Sequence, residues 1–172
     1  MMKLFLLKKK LTKDLKSFKR SKRFECYADL NSFVLMCAYE NLEEVLQYRA
    51  LLSADQKQVQ IICFYSGKEK EKPAFSEGVH LWTIKQLDIF GSIPRQIIEK
   101  FTTFKADVFM NLSMKQNLIF EHFLMQVKPN YWVGFRNGNV DLGDLMLESN
   151  DATSFKNLVE QMHFYLKTIR IK

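Results

Sequence analysis

Phe33-Val34-Leu35-Met36-Cys37-Ala38, then Asn41 to Leu52, then Val59 to Tyr65: this order decides the fold. The first segment is an unbroken apolar run, the pattern of a strand buried on both faces. Asn41 with Glu44 forms an N-x-x-E signal for a helix start, and Leu42, Val45, Leu46 and Leu52 then give one apolar helical face. Val59 to Tyr65 is a second buried-type strand, closed by Ser66-Gly67. Strand, helix and strand at this spacing predict a parallel pair joined by a right-handed crossover.

Outward from this unit the alternation continues. Lys68 to Gly78 reads as a polar loop and His80 to Ile84 as a short strand. Ser92 before Ile93-Pro94 predicts a helix carrying Ile97, Ile98, Phe101 and Phe104 on one side. Asp107 to Leu112 is the next strand, and Ser113 with Gln116 suggests a capping box for a helix running to about Lys128. That helix is apolar almost all round, which predicts a well-covered position. Tyr131 to Phe135 and Leu145 to Glu148 read as strands around an Asn137-Gly138 turn. Their short connection predicts antiparallel pairing at a sheet edge. A last helix is expected from about Ala152 to Ile169. The whole predicts an α/β three-layer sandwich with a mostly parallel sheet.

Before the body lies an arm of a different character. Of 26 basic residues, ten fall within the first 23 positions, against one acid, Asp14, which gives the arm a net charge of +9. The remainder carries 16 basic and 18 acidic groups and is nearly neutral. Two units follow from this, a basic amphipathic helix over 1–23 and a single α/β domain over 24–172. Leu4, Leu7, Leu11, Leu15 and Phe18 fall on one narrow stripe of the helical wheel, with lysines over the other faces. The stripe fails at Lys22, so the helix is expected to end between Arg20 and Arg23, with Ser17 and Ser21 inside it.

The stretch from Leu87 to Phe135 carries a resemblance. It reads Asp88-Ile89-Phe90-Gly91, Ile93-Pro94, Phe104-Lys105-Ala106-Asp107 into Asn111-Leu112-Ser113, then Trp132-Val133-Gly134-Phe135. With the basic opening helix and the closing Asp144-Leu145-Met146-Leu147, it resembles a family of small uncharacterised proteins from Bacteroidetes. The resemblance implies a compact α/β fold and supplies no catalytic residues. A looser likeness to flavodoxin-type folds is one of topology, and topology does not assign function.

Familiar chemical signatures are missing. The turn after the first strand, Ala38-Tyr39-Glu40-Asn41, has no glycine for pyrophosphate and an acid in its place. Ser66-Gly67-Lys68 lacks the remainder of a phosphate loop. Cys26, Cys37 and Cys63 have no CxxC spacing, and His80, His122 and His163 have no ligand spacing among themselves. Asp141, Asp144 and Glu148 are the pattern of an ordinary acidic turn. No cofactor and no metal is expected, and the compartment expected is the reducing cytoplasm.

The expected function is non-enzymatic. The arm engages an anionic partner through Lys8, Lys9, Lys10, Lys13, Lys16, Lys19, Arg20, Lys22 and Arg23. RNA or a ribonucleoprotein ranks first, because lysines spread around the helix suit phosphates whose neutralisation releases counterions. An anionic membrane surface ranks second, since the stripe is narrow for an interfacial helix and lacks Trp. In another class lies a small-molecule binder or enzyme using a crevice at the strand ends, at Tyr39, Ser66, Asn111 and Ser113. A scaffold role has the Leu4, Leu7, Leu11, Leu15, Phe18 stripe packing on a protein partner.

Overall fold

A computed structural model describes residues 2–67, 77–136, 142–149 and 153–169. Helix α1, Met2–Ser17, precedes an alternation of β1 Ser32–Ala38, α2 Leu42–Ala54, β2 Gln58–Phe64, β3 Val79–Trp82 and α3 Arg95–Phe104. Then come β4 Val108–Asn111, α4 Leu118–Val127, β5 Tyr131–Arg136, β6 Leu145–Glu148 and α5 Phe155–Thr168. The six strands form one sheet in the order β3-β2-β1-β4-β5-β6, and every neighbouring pair is parallel. The order is that of a doubly wound sheet reversing between β1 and β4, and differs from the 2-1-3-4-5 order of flavodoxin-type folds.

The reversal sets the layers. The β1-α2-β2 crossover moves one way along the sheet and β4-α4-β5 the other, so crossovers of one hand put α2 and α4 on opposite faces. Side chains alternate accordingly along β1: Phe33, Leu35 and Cys37 join α2 and α5, whereas Val34 and Met36 join α1, α3 and α4. The second face is aromatic, with Trp82, Phe101 and Phe123 meeting edge-on at centroid distances of 4.8 to 6.0 Å.

Several local expectations are corrected. β6 pairs with β5 in parallel, with Val133 opposite Leu145 and Arg136 opposite Glu148. Only four residues of each strand pair, so the chain must double back about 13 Å, and the eight residues from 137 to 144 can reach about 26 Å. No helix is needed for so short a return. The Asn137-Gly138 turn, Asp141 and most of the Lys68 to Gly78 loop lie outside the described residues. α4 starts after Asn117, whose side chain accepts from the amides of Ile119 and Phe120 at 3.1 and 3.3 Å, so Ser113 is no cap. The helix expected after Ser92 begins at Arg95 with Pro94 at its N-cap. Asn41 precedes α2 without a side-chain capping bond, because a 3₁₀ turn over Tyr39–Asn41 leads into the helix.

α1 ends at Ser17 instead of continuing to Arg20 or Arg23. The reason is tertiary. Beyond it the chain is pulled onto Asp144, a buried carboxylate that accepts from the Arg23 amide at 2.7 Å and pairs with the Arg20 guanidinium. Asp144 also receives the Trp132 amide at 2.7 Å and returns its own amide to the Trp132 carbonyl at 2.7 Å. One side chain thus ties the arm to β5 and to the start of β6.

Candidate functional site

α1 runs beside α4 in the same direction. Leu4 lies with the first turn of α4, and Ser17 to Arg20 lie with its last turn and Asn130. Leu7 and Leu11 are buried and Phe18 is packed against the same cluster. Of the stripe expected to offer itself to a partner, Leu7, Leu11 and Phe18 are therefore taken up by the protein's own core, while Leu4 is 38% exposed and Leu15 half-buried. Burying each leucine contributes about 1.5–3 kcal/mol, which holds the helix down.

Docking the stripe orients the cations. Lys8, Lys9, Lys13, Lys16, Lys19, Lys22 and Arg23 are exposed. Lys10 also faces solvent, but its ammonium donates to Ser92 Oγ at 2.5 Å. Arg20 is largely inside: it donates to the Asn130 carbonyl at 2.7 Å and pairs with Asp144. Burial pulls its pKa down, opposed by the carboxylate beside it. The nine basic residues expected to act together are thus split into an exposed set and an internal clamp.

Sequence reasoning missed the exposed apolar residues at the N-terminal end of α1 and on the turn packed against it. Met2 and Phe5 are 72% and 69% exposed, on the side of the wheel away from Leu7 and Leu11. Against the face of α1 that carries Lys3, Leu6 and Lys10 is a tight turn from Asp88 to Ser92. The Asp88 carboxylate accepts from the amides of Phe90 and Ser92, both at 2.8 Å, and Gly91 closes the turn with φ of +73°. A side chain on Gly91 would strike the Lys3 carbonyl at 2.6 Å, so the turn lies directly against α1. The Lys3 ammonium donates to the Leu87 carbonyl at 2.5 Å and locks the two together. Ile89 and Phe90 at the tip are both 69% exposed. The available sequence signal was Phe5, an aromatic residue off the stripe.

The crevice expected at the strand ends is present. A cleft of about 460 Å³ opens where the sheet order reverses, lined by Ala38 at the end of β1, Glu40 beyond it, Ser66 after β2 and Ser113 to Asn117 after β4. A second lobe of about 310 Å³ lies alongside, between Tyr65 to Gly67 and Thr83 to Lys85. Leu4, Phe64 and Ser66 line both lobes. Of the four residues proposed for this crevice, Ser66 and Ser113 are brought together on its wall. Tyr39 instead meets Tyr65 edge-on at 5.1 Å, and buried Asn111 turns its Oδ1 to the Ser113 amide at 3.2 Å. Behind the cleft, burial raises the Glu121 carboxyl above its usual range, while the Gln116 amide donating to it opposes that rise.

The remaining candidates are structural. His122 is buried on α4 beneath α1, His80 bonds Gln60 at 2.7 Å, and His163 bonds Tyr48 at 3.2 Å. Cys37 and Cys63 face each other in register across β1 and β2. Their mutual hydrogen bond and burial push the Cys37 thiol well up. Among the described residues no cluster of His, Cys, Asp or Glu is disposed to hold a metal ion, and no helix is long and apolar enough to cross a membrane.

Fold and site together define a doubly wound parallel α/β protein with a cleft at its topological switch point and a cationic helix beside it. By sequence the chain belongs to DUF6913, a family of unknown function, which it matches over residues 3–169. No curated protein and no solved structure matches it.

Proposed function

We propose that the protein is a peripheral binder of anionic membrane surfaces, seated on the bilayer by the outer side of α1 and the Asp88 to Ser92 turn. The observation that carries this reading is the tip of that turn. Ile89 and Phe90 project into solvent from a turn braced by Asp88 and pinned to α1, whose own Met2 and Phe5 are also exposed. Water-exposed apolar side chains held this firmly call for a partner that excludes water. Lys9, Lys13 and Lys16 share the outward side of α1, at the level where headgroup phosphates would lie. Apolar insertion and several lysines at ~1 kcal/mol each make the two signals that stable surface binding requires. RNA meets the same lysines but has less use for an exposed Ile and Met, and on that ground the order of the two partners is reversed.

The test is co-sedimentation of the full chain with phosphatidylcholine vesicles, with and without phosphatidylglycerol, in parallel with binding of single-stranded and duplex RNA. Binding is expected to require phosphatidylglycerol. Neutralising Lys9, Lys13 and Lys16 to Gln should weaken it by about 3 kcal/mol, roughly a hundredfold. Ile89→Ser with Phe90→Ser should abolish it. Absence of vesicle binding, combined with salt-steep RNA binding indifferent to the tip substitutions, returns the helix to RNA.

A further inference from the structure

We infer that the two-lobed cleft at the switch point binds the single acyl chain of a fatty acid, a use that rests on the membrane reading because the cleft opens at the same end of α1. Open parallel sheets take their ligands outside the carboxyl ends of the strands where the strand order reverses, and this cleft lies there, between β1 and β4.

Its walls select the class of ligand. The lobe beside β3 is largely apolar, with Leu4, Phe64, Tyr65 and Ile84 in its wall beside Thr83 and Lys85. The lobe at the switch point shares Ser66 and adds Ser113 and Asn117, with Lys115 exposed at its edge. An apolar trough continuous with a hydroxyl- and amide-lined one fits an amphiphile: chain on one side, small head on the other. Two features argue against a nucleotide. The turn after β1 has no glycine to let backbone approach a diphosphate, and Glu40 lines the cleft where that charge would fall. A carboxylate head near Lys115 with its chain across Ser66 needs no backbone approach and brings a single negative charge into the lobe that Glu40 shares, where a diphosphate would bring several.

Access follows from the same geometry. Leu4 lies over both lobes, and the next residue, Phe5, faces solvent with Met2. A bilayer seated on the N-terminal end of α1 lies at the end where Leu4 borders the cleft.

Titration of the full chain with dodecanoate below its micellar concentration, followed by calorimetry, reads the cleft with no bilayer present. Saturable one-to-one binding is expected. Ser66→Trp fills the waist between the lobes from an exposed position, and Leu4→Trp fills it from above; each should weaken binding roughly tenfold or more. The Lys9/Lys13/Lys16→Gln triple and the Ile89→Ser/Phe90→Ser double should bind dodecanoate as the parent does. Thermal melts and vesicle co-sedimentation check that the Trp variants are folded. Failure of vesicle binding with retained dodecanoate binding overturns only the membrane reading. Non-saturable uptake, equal binding by both Trp variants and the parent, or loss confined to the Ile89/Phe90 double overturns the cleft.

Discussion

At the scale of single residues, Asp144 links more of the molecule than any sequence motif did. Its carboxylate receives the Arg20 guanidinium and the backbone amides of Arg23 and Trp132. Asp144→Ala would leave a mostly buried guanidinium with one carbonyl partner, and breaking a buried pair on one side costs about 3–5 kcal/mol. Urea denaturation of the variant should show that loss as a lower midpoint with the slope unchanged. His122 makes a second prediction. Burial holds its pKa below 6.5, with Lys10 adding to the depression and Asp14 and Asp88 opposing it. A depressed histidine stays neutral in the native state while the unfolded chain takes up a proton. Stability should therefore be complete above pH 6.5 and fall as pH drops from there toward the native pKa, and His80 and His163 act in the same direction. Denaturation midpoints across that range should slope less in His122→Gln; an unchanged slope would exclude His122 as a source. Neither role was legible beforehand. A lone Asp in a turn and a lone His on an apolar helix look alike in sequence whether they face water or one another's neighbours.

At the scale of elements, α1 belongs to the core although its composition sets it apart. Leu7 is fully buried and Leu11 nearly so, beside α4. Leu7→Ala is expected to cost about 2–5 kcal/mol and to loosen α1 first. Limited trypsin digestion reads this directly: cleavage at the arm's lysines should speed up while the body resists. Equal cleavage of arm and body would mean that the helix and sheet unfold together. The helical stripe was legible from spacing alone, because 3.6-residue periodicity survives in any context. The end of the helix was not, because Asp144, over 120 positions away, decides it. Strand β6 teaches the same lesson. Its place at the edge was expected from the short connection before it, but its direction depended on how few residues of it pair.

At the scale of the whole molecule, stability is centred on β1 and β4, flanked on both sides in the sheet and covered on both faces. All of Phe33 to Cys37 and Val108 to Asn111 is buried. Hydrogen exchange should be slowest in these two strands and faster in edge strands β3 and β6; a slowest unit elsewhere would contradict this core. The apolar runs determined by themselves that the chain builds a parallel α/β sandwich, since a strand buried on both faces has no polar side to show. The charge of the arm was equally explicit. Tertiary structure decided the strand order, the short parallel return to β6 and the placing of Ser66 and Ser113 on the wall of one cleft. It also decided which side of the basic helix faces out, because burial of Leu7 and Leu11 turns Phe5 and the lysines to solvent. Periodicity is local and is written along the chain. A surface is made by whatever the core has not claimed, and only the packed molecule determines that.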